Sequence, residues 1–327
     1  MTNVYKINLF SFYVHDEKHL DEKGNPLDRR QEYKDYCKSN NKLGWGWPRH
    51  TPKIVTTLKE YKEDYGKSRS LTIACNQIKD MKPGDLCWSY ISSKWYLGKV
   101  IGDFIFSTPS ADYPEFGMYR GCKWHEISNS DLVPGIICAY SKKEATVLHI
   151  SENTNFAAYC NALFNNWENL ENIQNTLKGE LDFWEVAHTD DLEDLVGLYL
   201  QKHGYYIFPS TNKQGTKDYE FKLIRTDGEK EAVIQCKNNA DIPWETLEGY
   251  TKEDIYVLSV KETKGAGHSR TMLSKEKCSE NWDMGWESKD ERIKMFDAKK
   301  LEAWARDNQH ILPKRIQNFL KLSEKYK

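Results

Sequence analysis

The sequence predicts two domains, a mostly β first half and an α/β second half in which helices flank a mixed sheet. Three observations predict this division. Short β-rich runs joined by polar turns occur before residue 150, helical spacing follows, and a helix–strand–helix order closes the chain. With 327 residues, the chain can form two domains that each bury a core. We expect domains over 1–150 and 186–327, with a helical linker over 151–185.

The first half contains one pair of runs typical of a β-hairpin. Residues 86–91 and 95–101 are rich in strand-forming side chains and flank a short polar turn. Two later runs, 133–139 and 145–150, are expected to be further strands of the same domain. The polar segment 28–38 has helical spacing and predicts a helix or an ordered loop.

Residues 153–167 mark the change to helical periodicity. Apolar side chains recur there at the spacing of one helix face, namely Phe156, Tyr159, Cys160, Leu163, Phe164 and Trp167. This helix and the acidic run 168–180 form the predicted linker. Core packing explains the apolar stripe better than a ligand does.

The second domain is predicted to begin with a helix over 189–200, which Gly204 ends. Its core-facing side chains are expected to be Leu192, Leu195, Val196 and Tyr199. Strands are expected to follow at 205–208, 219–224, 232–236 and 254–259. Two closing helices are predicted over 298–305 and 314–322. This order indicates a mixed sheet flanked by helices.

Composition excludes several classes of protein. No stretch approaches the roughly 20 apolar residues of a membrane span, and residues 1–10 lack the pattern of a secretory signal. The eight cysteines are scattered singly, without the paired spacing of a zinc site. Reduced thiols and the lack of a signal predict a cytoplasmic protein without a membrane partner.

The net charge of −2 hides an uneven distribution along the chain. Residues 42–105 carry eleven Lys or Arg against six Asp or Glu, whereas 151–200 carry one against ten. Residues 290–327 are basic again, with ten against six. Separated basic patches are compatible with nucleic-acid binding, and an uneven surface without any ligand is an equally good interpretation.

Two neighbouring strands carry the candidate chemistry. The turn 226–230 joins them and would bring Asp218 and Glu220 beside Gln235 and Lys237. Side-chain alternation is expected to separate a polar face from an apolar one, with Asp218, Glu220 and Lys222 opposite Tyr219, Phe221 and Leu223. Carboxylate and amide oxygens suit Mg²⁺, and a lysine can stabilise charge on a phosphate. The cluster therefore predicts metal-assisted phosphodiester hydrolysis.

At these residues the chain resembles the PD-(D/E)XK nuclease superfamily, and especially its Mrr-like restriction branch. Gln235-Cys236-Lys237 matches the Gln-x-Lys of that branch, and Asp218 corresponds by position to the acid that precedes it. The acid of the first helix corresponds to Glu193. The resemblance covers about residues 189–259. It implies a restriction-endonuclease-like fold and an Mg²⁺-dependent endodeoxyribonuclease, with Mn²⁺ as a substitute.

Several alternatives stay open at this cluster. Glu220 lies on the same predicted face as Asp218, so either acid could be the main metal ligand, with Gln235 as a further ligand. Asp190 and Glu193, three positions apart, could simply cap the helix. Asp218 could be a turn residue, and Glu220 and Lys237 could be solvated side chains.

The first half is rich in aromatic side chains, and the whole chain has eleven Trp and nineteen Tyr. The segments 43–48, 81–88 and 95–100 contain glycine-flanked tryptophans and a Lys-Pro-Gly-Asp turn before a strand. They resemble PUA-like domains of the EVE type, which implies a β-barrel that reads a modified, extruded base. The pocket candidates are Trp45, Trp47, Trp88 and Trp124, with Asp85 or Asn76 as polar contacts. Core packing is the alternative for each tryptophan.

Together, the two resemblances imply a modification-dependent, type IV-like restriction endonuclease that acts on phage DNA. The first domain would read a modified base, and the second would cut with Mg²⁺. Because one active site cuts one strand, a double-strand break favours a homodimer. Two alternatives stay open: a protein that binds modified nucleic acid with a degenerate nuclease domain, and an RNA-directed nuclease.

Overall fold

The computed structural model is α+β, with mixed sheets, one of which curls into a half-barrel. It describes residues 2–9, 15–20, 26–28, 30–45, 57, 59–60, 63, 69–106, 118–140, 147–151, 154–179, 181–208, 219–228, 230–238, 247, 249–260, 278–288 and 292–324. The chain forms two compact units. The first comprises 1–133, 137–182 and 322–327, and the second comprises 134–136 and 183–321.

Strands of the first unit form one curled sheet and a separate ribbon. The sheet contains β1 (Val4–Ile7), β4 (Lys42–Trp45), β5 (Leu86–Ile91), β6 (Lys94–Val100), β7 (Ile105–Phe106), β8 (Met118–Ile127) and β9 (Val147–Ser151). The strand order is β4-β8-β6-β5-β1-β9, and β7 also pairs with β8. β1 and β5 are parallel, and the other pairs are antiparallel. The ribbon consists of β2 (His15–Leu20) and β3 (Pro26–Asp28).

The core of the first unit lies between this sheet and the helices α1 (Arg30–Ser39) and α2 (Arg69–Asp80). Tyr33 and Cys37 of α1 and Ile78 of α2 are fully buried in it. Arg120 of β8 holds the end of α2, because its guanidinium donates to the carbonyl oxygens of Ile78 and Lys79. These bonds satisfy carbonyl groups that a helix end leaves without partners.

Four further described helices lie in the sequence between β8 and the first predicted helix of the second domain. They are α3 (Gly135–Tyr140), α4 (Thr154–Asn166), α5 (Leu170–Leu177) and α6 (Phe183–Val186). The predicted helices at 28–38 and 153–167 are confirmed as α1 and α4. The predicted linker lies mostly within the first unit, because that unit includes residues 137–182.

The predicted hairpin is confirmed as β5 and β6, and the later strand as β9. The prediction of a strand over 133–139 is wrong. A 3₁₀ turn over Ser130–Leu132 and helix α3 occupy this region instead. A short apolar run does not distinguish a buried strand from a buried helix, and Pro134 just before α3 suits a helix start.

The second unit is built on a seven-stranded mixed sheet. Its strands are β10 (Tyr205–Ile207), β11 (Phe221–Arg225), β12 (Glu231–Asn238), β13 (Asp254–Val260), β14 (Cys278–Trp282), β15 (Gly285–Ser288) and β16 (Ile293–Phe296). The order is β10-β11-β12-β13-β16-β15-β14. β12, β13 and β16 are mutually parallel, and antiparallel pairs lie on either side of them.

Three described helices of the second unit lie at the predicted positions. They are α7 (Thr189–Lys202), α8 (Ala298–Asp307) and α9 (Lys314–Leu322). The first four strands are also confirmed, with ends shifted by one or two residues. Strands β14, β15 and β16 were not predicted, because each has only four or five residues, too few to establish an alternation.

The turn between β11 and β12 was also predicted correctly. The Arg225 N–H donates to the Lys230 carbonyl at 3.0 Å, and the Gly228 N–H donates to the Arg225 carbonyl at 2.9 Å. Gly228 has a φ of +74°, which glycine adopts without a steric penalty. Among the described residues, no helix combines the length and the apolar character required to cross a bilayer.

One close contact in the first sheet gives a stability prediction. A Cβ at Gly98 would lie 2.7 Å from the Cys122 sulfur and 2.7 Å from the Trp124 ring. We expect Gly98→Ala to lower the free energy of unfolding of the first unit by about 1–3 kcal/mol, through overpacking. Thermal and urea unfolding of the purified protein measure this change.

Lys123→Ala is the matched control, because Lys123 is exposed on the neighbouring strand β8. Its effect should stay within about 0.5 kcal/mol. Equal stability of the Gly98→Ala variant and the parent protein would contradict the packing described for Gly98.

Candidate functional site

Strand β12 positions two of the predicted site residues. Gln235 and Lys237 are two positions apart on this strand, so their side chains leave the same face of the sheet. β12 lies inside the sheet, between β11 and β13. Residues 232–236 are buried, and Gln235 is only 1% exposed. The strand therefore carries an amide into the protein interior and an ammonium at its partly exposed end.

Glu220, just before β11, completes this cluster. Its backbone N–H donates to the Ile234 carbonyl at 2.8 Å, which places its side chain beside Gln235. Lys237 Nζ donates to Glu220 Oε1 at 2.9 Å, and Gln235 Nε2 donates to the same oxygen. The structure thus brings together three of the predicted residues. Glu220, Gln235 and Lys237 are called the polar cluster below.

Gln235 Oε1 is the unusual atom of the polar cluster. It is buried, and no hydrogen-bond donor in the described part of the chain reaches it. The amide orientation follows from the bond that Nε2 donates to Glu220. A buried acceptor without a donor costs about 1–3 kcal/mol, so such an atom is usually satisfied by a protein donor, an ordered water or an ion. The atom therefore marks a place where a cation or a donor would be stabilised.

Asp218, the other predicted acid, lies outside the described residues. Within the described ranges, no group of three or more His, Cys, Asp or Glu side chains is arranged to hold a metal ion. In the described part of the polar cluster, the oxygen atoms that could bind a metal ion are Gln235 Oε1 and those of the Glu220 carboxylate.

The expected alternation around Glu220 requires a correction. Tyr219 packs against the apolar cluster that contains Val233, whereas Phe221 pairs with Ile234 and its ring lies near Gly197 of α7. Since neighbouring residues of β12 point to opposite faces, Tyr219 and Phe221 are on different sides of the sheet. The expectation that they share a face is wrong, because regular alternation begins only at Phe221, where β11 starts.

Helix α7 places Glu193 in the field of the polar cluster. Burial raises the pKa of Glu193 to about 8, and the negative charges of Glu220, Asp190 and Asp194 act in the same direction. The positive charge of Lys237 opposes them. Glu193 is therefore a proton-holding carboxyl group near neutral pH, as long as no additional cation is present.

The start of α7 is capped by other residues than the sequence indicated. His188 is the N-cap and forms a capping box with Asp191, whose carboxylate accepts from the His188 N–H at 2.8 Å. Asp190 and Glu193 thus do not form the box that was one of the open alternatives. The cap leaves the Glu193 side chain available for interactions with the polar cluster.

Sequence reasoning did not single out Asp191, Asp194 and Arg315 as neighbours of the site. Arg315 of α9 donates to Asp191 Oδ1 from Nε at 2.8 Å and approaches it from Nη2 at 2.6 Å. Burial and the nearby Asp191 raise the pKa of Asp194 to about 6. The excess of acids over 189–194 was a usable signal, but Arg315 lies more than 120 residues away in the sequence.

The predicted base pocket in the first unit is corrected. Trp88 is 0% exposed, and its indole N–H points at the Cys160 sulfur at 3.4 Å. Trp124 is also buried and donates to the Lys42 carbonyl at 3.0 Å. Neither ring has a face open to an extruded base. The alternative of core packing describes both residues.

Of the remaining pocket candidates, the structure describes Asp85 and Asn76 but not the side chains of the other two. Asp85 is buried and accepts from the backbone N–H groups of Asn3 at 2.9 Å and Lys82 at 2.8 Å, so it stabilises a turn. Asn76 is an exposed residue of α2. The side chain of Trp45 and the whole of Trp47 lie outside the described residues.

Comparison of the chain with protein-family models, with curated proteins and with solved structures gives no match. The resemblances to the Mrr-like nucleases and to the PUA-like domains therefore stay predictions. The polar cluster and its electrostatics are the support for a function of the second unit.

The raised pKa of Glu193 gives a prediction about stability. The folded protein keeps a proton on Glu193 that the unfolded chain releases above its ordinary value of 4.5. The contribution to stability is therefore complete at low pH and is lost as the pH rises towards about 8. We expect Glu193→Gln, which imitates the protonated group, to lose less stability than the parent between pH 5 and pH 8 (roughly the titration range).

Urea unfolding at several pH values tests this expectation. Asp307→Asn, at an exposed position of α8, is the control and should follow the parent curve. Identical pH profiles for the Glu193→Gln variant and the parent would contradict the burial and the repulsion described for Glu193.

Proposed function

We propose that the second unit is an Mg²⁺-dependent nuclease that hydrolyses phosphodiester bonds of DNA. One observation carries this proposal. Gln235 Oε1 is buried, and no donor among the described residues reaches it, while Nε2 of the same amide donates to the Glu220 carboxylate that binds Lys237. An acceptor, a carboxylate and an ammonium within one cluster are suited to a metal ion and a phosphate.

The donor atoms present fit Mg²⁺. Gln235 Oε1 and the Glu220 carboxylate are hard oxygen ligands, and Mg²⁺ commonly uses one or two protein carboxylates together with waters and substrate phosphates. When bound, the ion supplies polarisation of the phosphate and a more acidic water. A cation beside Glu220 would also weaken the repulsion that holds a proton on Glu193.

Lys237 has a separate role in the proposal. Its ammonium group lies at the partly exposed end of β12 and is oriented by Glu220 at 2.9 Å. From there it stabilises the negative charge that develops on the phosphate during hydrolysis. Glu220 thus orients the ammonium and the Gln235 amide through one oxygen.

The complete proposal is a modification-dependent, cytoplasmic restriction endonuclease that acts against foreign DNA, as the two resemblances imply. The burial of Trp88 and Trp124 removes two supports for the reading of a modified base. We therefore assign no described residue to a base pocket. The base modification is instead varied in the DNA substrates of the cleavage experiment.

A second candidate function is a nucleic-acid-binding protein whose nuclease-like unit is inactive. The observation that favours it is the pairing of Glu220 with both Gln235 and Lys237, because the carboxylate has internal partners without a metal. The two candidates differ in Mg²⁺ binding. Only the nuclease requires it.

Cleavage of DNA tests the first candidate. The protein is incubated with Mg²⁺ and plain, methylated or hydroxymethylated duplex DNA, and the products are separated on a gel. We expect Lys237→Ala to lower the cleavage rate at least about 100-fold, since a positioned charge at the transition state is lost. RNA of the same sequence shows whether DNA is the substrate.

Lys252→Ala is the matched control for that assay, because Lys252 is an exposed lysine of the same unit. It should cleave at the parent rate. No cleavage of any substrate by the parent protein, or equal rates for the parent and the Lys237→Ala variant, would refute the nuclease.

Calorimetric titration with Mg²⁺ separates the two candidates. We expect the parent protein to bind Mg²⁺ and Gln235→Leu to lose most of the binding heat, because a ligand oxygen is removed. Gln201→Leu, at an exposed position of α7, should bind as the parent does. Absence of Mg²⁺ binding by the parent would favour the inactive alternative.

A further inference from the structure

Among the tryptophans that the structure describes in the first unit, Trp167 is strongly exposed. Trp167 follows helix α4 and is 63% exposed, although it is among the largest apolar side chains. Its backbone is left-handed, with a φ of 46°, and so is that of Glu168, with a φ of 64°. This conformation is unfavourable for a bulky residue and persists only where the surroundings hold it.

The surroundings of Trp167 do hold this conformation. The Trp167 N–H donates to the Leu163 carbonyl at 3.2 Å. The Glu168 carboxylate accepts from Ser128 Oγ at 2.6 Å and from the Asn129 N–H at 2.8 Å. Asn169 then caps helix α5. The indole is therefore presented to solvent from a segment fixed on both sides.

An aromatic column supports the indole from below. The Trp167 and His125 rings are 4.2 Å apart, and His125 stacks on Phe164 with the ring centres 4.2 Å apart and the planes 5° from parallel. His125 and Phe164 are both buried. Trp167 is thus the outer member of a stack whose inner members are fixed in the fold.

Two lysines lie next to this column on the same sheet face. Lys99 of β6 pairs with Lys123 of β8, and His125 follows Lys123 by two positions. Lys99 Nζ lies 5.6 Å from the centre of the Phe164 ring and donates to Asn161 at 3.0 Å. Two like charges at directly paired positions repel each other, so an anion beside them would be stabilised.

We propose that Trp167 is a stacking platform for a base of single-stranded DNA, with the neighbouring phosphates on Lys99 and Lys123. Exposed aromatic rings beside positive charges are the usual combination for binding single strands, because every base has a face that can stack. The inference extends the proposed nuclease function and rests on it for the choice of DNA over RNA. The platform belongs to the first unit, whereas the polar cluster belongs to the second.

Binding of a fluorescent oligothymidine in EDTA tests the platform without cleavage. Anisotropy titrations compare the full-length parent with Trp167→Ala, Trp167→Asn and Trp167→Phe. We expect Kd to rise about fivefold or more in the alanine and asparagine variants, and to change little with phenylalanine. Asparagine tolerates a left-handed backbone, so Trp167→Asn keeps the segment folded.

Tyr90→Ala is the control for loss of an exposed aromatic ring in the same unit, and it should bind as the parent does. Lys99→Gln and Lys123→Gln should each weaken binding and reduce its dependence on salt. Equal affinity of the Trp167→Ala variant and the parent overturns the platform. So does tighter, Trp167-dependent binding of oligouridine, which would assign the surface to RNA.

Failure of the platform and failure of the nuclease give different results. The oligothymidine affinity of the Trp167→Ala variant in EDTA reports on the platform, and the cleavage rate of the Lys237→Ala variant in Mg²⁺ reports on the nuclease. If Trp167→Ala binds normally and cleavage still depends on Lys237, the platform is refuted and the nuclease stands. If the parent binds with a Trp167-dependent affinity and never cleaves, the nuclease is refuted and the platform stands.

Discussion

The interior position of strand β12 is the constraint on which the candidate site depends. Hydrogen bonds to β11 on one side and β13 on the other leave this strand no freedom to shift its register. A shift by one residue would exchange Gln235 for Cys236 on the face of the polar cluster. The buried residues 232–236 therefore determine where the amide lies, and Glu220 Oε1 accepts from both this amide and Lys237.

Electrostatic balance is the second property of this region. Glu193, Asp194 and Glu220 are acids near one another, and the described positive charges that face them are Lys237 and Arg315. Arg315 forms a salt bridge with Asp191. Burial is the largest cause of the raised pKa values of Glu193 and Asp194, and the neighbouring acids raise them further. This excess of acid favours the binding of a cation and repels an anion. Once a cation is bound, its charge offsets that of the acids, and a phosphate can approach.

Much of this arrangement could be predicted from local sequence, and the reasons for the failures are physical. The 226–230 turn and the alternation of β12 were sufficient to place Gln235, Lys237 and Glu220 together. Tyr219 was placed on the wrong face because alternation holds only inside a strand. The tryptophans of the first unit were ambiguous, since burial of Trp88 depends on partners such as Cys160, which is 72 residues away. The prediction of a strand over residues 133–139 failed because a short apolar run fits a helix as well as a strand.

The hairpin of β11 and β12 has a consequence for folding. Glu220 is 15 residues from Gln235 and 17 from Lys237, so the polar cluster closes through a short loop. The parallel pairing of β12 with β13 needs a longer crossover, and that of β13 with β16 encloses more than 30 residues. Local contacts form faster than distant ones, because less chain entropy is lost in closing a short loop. The cluster can therefore take shape before the sheet is complete, and the rest of the unit then encloses a centre that the hairpin has already formed.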